Sequence, residues 1–337
     1  MTLILKPDDA GIKKAAEIIR NGGTVVFPTE TVYGLGANAL SSEASAKIFK
    51  AKERPADNPL IVTVSNFDMV KSVSYIDDFI LKKMENIWPA PLTLLLKKKD
   101  IVPDIVTAGM DTVCIRFPDN KIALKLIEEA RVPVAAPSAN IATRPSIVDS
   151  KDAINELNGR VDAIIDAGRV KYGVESTIID VTVKPYNLLR PGAYPVEDIE
   201  KIFGSINVSP VAKGYKEATV ALTPGMKYRH YAPSKKLLLI ENINDFRSFV
   251  ASESSKDFLA LCSKDNAKYV KYDKIILGSD VYEAAHNLFY DFRLLDKSDK
   301  EYGVIHGFPE NGIGFGLMNR IRKASWKIIK DGEPIEI

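Results

Sequence analysis

The chain has 337 residues, 46% of them hydrophobic, enough for two domains with cores of their own. Its formal net charge of +2 gives no global basic field for nucleic acid, so an anion site has to come from local clustering. Two cysteines without CxxC spacing and three scattered histidines point away from a disulfide framework and a zinc site; without any long apolar run, a soluble cytoplasmic protein is expected.

Asp8 is a suitable N-cap for a helix in which Ile12, Ala15, Ala16 and Ile19 recur at helical spacing. Gly22-Gly23 stops it, and residues 24–28 read as a short buried strand. The run Pro28-Thr29-Glu30-Thr31-Val32-Tyr33-Gly34-Leu35-Gly36 reads as a loop from strand to helix, with hydroxyls for adaptable hydrogen bonds. It has neither the G-x-G-x-x-G of a dinucleotide site nor the GK[ST] of a P-loop.

A second helix starts near Ser41 or Ser42 and ends by Arg54, because Pro55 disfavours helical geometry before it. Lys50, Lys52 and Arg54 cluster at that end, either as a solvated helix terminus or as an anion site. Asn58-Pro59-Leu60 returns the chain into a strand at 60–64, near where ligands of open sheets bind. Strand-like and helix-like segments then alternate through 92–96, 113–117, 122–130, 134–136, 161–165 and 176–181, the pattern of an α/β domain. Cys114 reads as a buried strand cysteine. Arg116 closes an apolar strand, to pair with an acid or to grip a carboxylate. Ser138-Ala139-Asn140 supplies short hydrogen-bonding side chains after Ala136-Pro137, and Ser176 a hydroxyl at a strand start. Arg190 is either a hinge residue or a phosphate contact.

After a short helix at 196–203 comes a segment rich in Gly, Pro, Lys and Ala, although Met226-Lys227-Tyr228-Arg229-His230-Tyr231 is unlike a passive tether. A second α/β pattern follows, with strands at 237–240, 258–262 and 274–277 and helices at 244–251 and 281–295. Gly312-Ile313-Gly314-Phe315-Gly316 reads as a structural turn. The domains are therefore placed at 1–204 and 234–337, with 205–233 as linker and lid.

In order, Phe27–Leu35, Lys50–Pro55, Asn58-Pro59-Leu60, Trp88–Thr93, Ala136–Asn140, Gly173–Thr177 and Leu189–Gly192 resemble the signature blocks of the Sua5/YrdC/YwlC family. The C-terminal extension is similar to that of the long Sua5 form. The resemblance implies a twisted, open, mixed N-terminal sheet flanked by helices and a smaller Rossmann-like α/β C-terminal domain. It also implies an L-threonylcarbamoyladenylate synthase, which converts L-threonine, bicarbonate or CO2, and ATP into threonylcarbamoyl-AMP and pyrophosphate. The product would pass to a tRNA threonylcarbamoyl transferase complex for modification of adenosine at position 37 of tRNA.

Carried over by the resemblance, Thr31, Thr63, Arg116 and Ser176 are expected around threonine, with Arg116 on its carboxylate. Lys52, Arg54, Asn58, Ser138 and Arg190 are expected at the ATP phosphates, with Lys52 and Arg54 as the catalytic pair. Thr112, the Ala136 backbone, Asn140 and Lys50 are placed nearby, and Tyr228 reaches in from the linker. Mg2+ is expected to arrive with ATP. Many members carry histidine where this chain has Thr63. Two other readings are a non-catalytic RNA-binding protein using the cationic pocket and a carbamoyl transferase of hydrogenase maturation. The near-neutral charge argues against the first, the absence of cysteine-rich zinc motifs against the second.

Overall fold

The computed structural model describes residues 1–216, 222–223, 231–252 and 257–335. Two sheets organise them: a twelve-stranded mixed sheet from the chain up to Val208, and a six-stranded sheet from Lys236 onward. Five strands of the smaller sheet are parallel, with Glu333–Ile335 added antiparallel at its edge. Both sheets carry helices, as the α/β alternation implied.

The helix Asp9–Arg20 begins where the Asp8 carboxylate accepts the Gly11 N–H at 2.8 Å. Its buried Ile12, Ala15, Ala16 and Ile19 join Ala123, Leu126, Ile127 and Ala130 of the helix Lys121–Ala130 against one face of the large sheet. Each of the Ile and Leu side chains, fully buried, stabilises the fold by about 1.5–3 kcal/mol, and the alanines let the two helices approach closely.

Two glycine-rich runs differ from their sequence reading. Residues Tyr33–Asn38 form a strand, paired antiparallel with Val25–Pro28 and with Val134–Ala135, in place of the expected loop. A Cβ at Gly36 would lie 2.7 Å from the Phe27 ring and from a Val134 methyl, so a residue with low strand propensity is required by packing. Likewise Gly312-Ile313-Gly314-Phe315-Gly316 is not a turn. It opens the helix Ile313–Ala324, which follows the strand Tyr302–His306. A Cβ at Gly316 would lie 2.8 Å from both the Cα and the carbonyl oxygen of Gly192, so this helix crosses the large-sheet unit backbone to backbone.

Further contacts join the two sheets' units. Arg293 donates to Glu156 at 2.8 Å and to the Pro145 carbonyl at 2.6 Å, and Arg169 donates to Asn287 at 3.0 Å. Tyr231 stacks on Phe289 with ring centroids 5.6 Å apart, and the apolar core runs without a break from one unit into the other. The segment between the sheets takes part in the fold: Asn207–Val208 adds a strand beside Asn187–Arg190, and Leu222 packs against the cluster formed by Ile61, Leu95, Cys114, Ile178 and Leu189.

Gly316→Ala is expected to destabilise the chain by about 1–3 kcal/mol, since the crossing has no room for a methyl group. Denaturant unfolding measures this, and an unchanged midpoint would contradict the close approach.

Candidate functional site

A cavity of about 320 Å³ opens at the end of the strands Ile61–Thr63 and Thr112–Arg116. One wall comes from the helix Ser42–Lys52. This helix is capped at Ser41 and stops at Glu53, which takes a left-handed conformation at φ 52°. The turn carries Lys52 and Arg54 inward, whereas Lys50 stays exposed. Lys52, only 1% exposed, donates its ammonium to the carbonyls of Ser138 and Asn140, and its own carbonyl accepts from the Ala142 N–H at 2.9 Å. Arg54, half-buried, donates to the carbonyls of Asn58 and Pro59 at 3.2 and 3.0 Å.

The opposite wall is a polar rung across the large sheet. Thr63, Arg116 and Thr93 are register neighbours. Thr63 donates to the Val134 carbonyl at 2.8 Å, which leaves its oxygen lone pairs on the cavity side of the bond. Arg116 lies 2.7 Å from a Glu30 carboxylate oxygen and donates to Thr31 at 2.8 Å. Thr93 shares a 2.8 Å hydrogen bond with Ser176, and the Ser176 hydroxyl and carbonyl accept from Arg190 at 3.1 and 2.9 Å.

Burial is what shifts these cations. Desolvation pushes the Arg54 guanidinium down to about 10, with Arg190 adding to the effect. It also lowers Arg190, and it lowers Lys52 well below the ordinary lysine value, helped by the charge on Arg54. Burial therefore disfavours the charged form of all three side chains, and the neutral carbonyls they donate to offset that cost only in part. Several buried polar atoms at the same cavity have no hydrogen-bond partner among the described residues: Arg54 Nε, Arg116 Nε, Asn58 Oδ1 and Asn140 Oδ1. Buried polar groups are rarely left so: the two arginine nitrogens are donors free for an anion, and the two amide oxygens are acceptors free for a donor group of the same ligand.

The cavity brings together Lys52, Arg54, Asn58, Thr63, Arg116, Ala136, Ser138, Asn140 and Arg190 of the residues expected from the sequence. Others stand elsewhere. Thr31 and Ser176 are fully buried behind the lining, where they hold Arg116 and Arg190. Lys50 stands exposed outside the lining, because two positions along a helix turn a side chain to the opposite side from Lys52. Thr112 shares a strand face with Arg116 but starts the strand four residues away, about 13 Å along it, and is not in the lining. Tyr228 lies outside the described residues. Sequence reasoning missed Thr29, Glu175 and Tyr231 in the lining, and Glu30 behind it. Thr29 and Glu30 stood inside the hydroxyl-bearing run. Glu175 was the lone acid beside Ser176. Cys114 is a buried thiol that desolvation pushes up to about 12, so it is inert here.

The family model described as "Telomere recombination", of the Sua5, YciO and YrdC proteins, matches residues 17–192, and one described as "Threonylcarbamoyl-AMP synthase, C-terminal domain" matches 194–325. A threonylcarbamoyl-AMP synthase of Pyrococcus abyssi is 42% identical, over 98% of this chain and 100% of its own. One of Bacillus subtilis is 36% identical over 95% of this chain and 94% of its own. The crystal structure of P. abyssi Sua5 complexed with L-threonine superposes with a TM-score of 0.91 at 41% identity, over 98% of this chain and 99% of that one.

Lys52→Met is expected to release the 138–140 loop and cost about 1.5–3 kcal/mol, the worth of a charged donor to buried carbonyls. Denaturant unfolding checks this. An unchanged midpoint would show that the ammonium does not hold the loop.

Proposed function

The chain belongs to the Sua5/YrdC family of threonylcarbamoyl-AMP synthases, and from that membership we propose that its cavity condenses L-threonine, bicarbonate or CO2, and ATP into threonylcarbamoyl-AMP and pyrophosphate. The observation that carries this reading is the group of buried cations, partnered mostly by neutral carbonyls, around a cavity with orphaned hydrogen-bonding atoms. The substrates are anions that repel one another, and fixed positive charge is what such a reaction requires.

In this reading the threonine carboxylate binds at Arg116, whose Nε has no partner among the described residues and whose position is held by Glu30 and Thr31. Thr63 stands next to it in register and offers an oxygen to the amino acid, where many relatives would use an imidazole. The threonine nitrogen adds to CO2 and loses a proton. The carbamate oxygen then attacks the α-phosphorus of ATP, the bond to the bridging oxygen breaks, and pyrophosphate leaves. Arg54, Asn58, Ser138, Asn140 and Arg190 line the path the phosphates would take. Lys52 acts through the 138–140 loop, whose Ser138 and Asn140 carbonyls its side chain holds. No side chain is needed as a covalent nucleophile. Orientation and charge stabilisation supply the rate.

Mg2+ enters this account only as the counterion ATP brings. The carboxylates lining the cavity, Glu53 and Glu175, and Glu30 behind it are each engaged by an arginine, and among the described residues no group of three or more His, Cys, Asp or Glu side chains gathers to hold a metal. The segment 205–233 is read as a lid that protects a hydrolysable mixed anhydride from water; of its described residues, Tyr231 lines the cavity and Leu222 packs on the hydrophobic cluster that includes Ile61. Transfer of the product to a tRNA-modifying complex, and a cytoplasmic location, follow from the same reading. No described helix is long and apolar enough to cross a membrane.

Pyrophosphate release from ATP should require both threonine and bicarbonate, and release independent of either would overturn the proposal. Arg54→Ala should lower kcat by about 10²-fold, the usual cost of one transition-state donor. Arg116→Ala should raise the KM for threonine about tenfold or more while changing that for ATP little, as loss of a carboxylate clamp requires. An unaltered threonine dependence would remove Arg116 from that role.

A further inference from the structure

Glu175 is a carboxylate in the wall of an anion cavity, where a free negative charge would oppose binding. It is 5% exposed, and both oxygens are occupied: Ser146 donates to one at 2.5 Å and Arg320 Nε to the other at 2.6 Å. Burial by itself would push this carboxyl up. Arg320, Arg190 and the Ser146 hydroxyl outweigh that and hold it below the usual glutamate value, so the group is an ion paired to an ion.

Arg320 comes from the smaller sheet's unit, one helical turn after the Gly316 crossing, and is fully buried. The same guanidinium donates to the Pro191 carbonyl at 2.8 Å, next to Arg190, and lies 5.1 Å from the ring centroid of Tyr231. It thus touches or adjoins three residues of the cavity wall without lining the cavity itself. We infer that Arg320 is a positioning residue of the nucleotide site: it neutralises Glu175 and seats Tyr231 and the Arg190–Pro191 turn, so the wall that receives ATP is complete only with the C-terminal unit docked. The tight glycine crossings at 192–316 and 173–285 serve this purpose, because they bring the Arg320 side chain within reach of Glu175.

This inference rests on the reading of the cavity as an ATP site. Its test compares full-length wild type with Arg320→Met, Arg320→Lys and the Glu175→Gln/Arg320→Met double variant, reading kcat and the KM for ATP together with direct binding of radiolabelled ATP. Arg320→Met removes the ion partner that donates to the carboxylate and should raise the ATP KM and Kd about tenfold or more. Arg320→Lys, which keeps the charge, should recover part of the loss. The double variant, which removes the carboxylate charge as well, should bind ATP better than Arg320→Met, an outcome that a packing role does not produce. If Arg320→Met does not fold, recovery of a folded, ATP-binding chain in the double variant is the expected result. ATP binding by Arg320→Met equal to wild type, or a double variant no better than the single one, overturns the inference. Wild type that binds ATP but releases no pyrophosphate would instead count against the proposed reaction and leave the Arg320 comparison readable.

Discussion

Positive charge withdrawn from water and held mainly by neutral hydrogen-bond acceptors is the constraint from which the rest of this molecule follows. Lys52, Arg54 and Arg190 are withdrawn from water, yet the partners given to them are mostly carbonyl oxygens. A carboxylate in any of these places would lower the cost of burial and also cancel the field. Carbonyls compensate desolvation in part and leave the charge standing. The fold supplies them from segments that have just left regular structure: residues 58–59 before one strand, 138–140 after another, and Ser176 at the start of a third. The cost appears as lowered pKa values on all three cations, and a multivalent anion is the ligand that relieves it.

Where carboxylates do occur at the cavity, each belongs to an arginine. Glu53 is paired with Arg160 at the solvent edge, and the two buried ones, Glu30 and Glu175, with Arg116 and Arg320. The two buried pairs differ in origin. Glu30, in the connection between Pro28 and Tyr33, and Arg116 belong to the large sheet's unit, whereas Glu175 and Arg320 join the two units. The second pair makes the C-terminal unit part of the site's electrostatics, and the continuous core and the backbone-close crossing at Gly192 and Gly316 make the junction rigid.

Much of this was legible in the chain. Pro55 ends the helix within a few residues of Lys52 and Arg54, and the ordered blocks from Phe27 to Gly192 carried the family. What was hidden had physical reasons. The strand at Tyr33–Asn38 and the helix at Ile313–Ala324 are rich in glycine, which lowers the propensity for both structures. Those glycines are demanded by Phe27, Val134 and Gly192, contacts that in the last case come from more than a hundred residues away. Thr31 and Ser176 lie in the right blocks, but a block does not say which residue lines a cavity and which stands behind it holding an arginine. Lys50 was separable from Lys52 in principle, since their spacing puts them on different sides of a helix. Arg320 had no signal at all, because its partner is 145 positions earlier.

The most direct test of the central claim follows the atoms. Full-length protein is supplied with ATP, L-threonine and ¹³C-bicarbonate, and the products are resolved by mass spectrometry. The account predicts threonylcarbamoyl-AMP carrying one labelled carbon, formed in step with pyrophosphate. Pyrophosphate or AMP appearing without a labelled adenylate would contradict it.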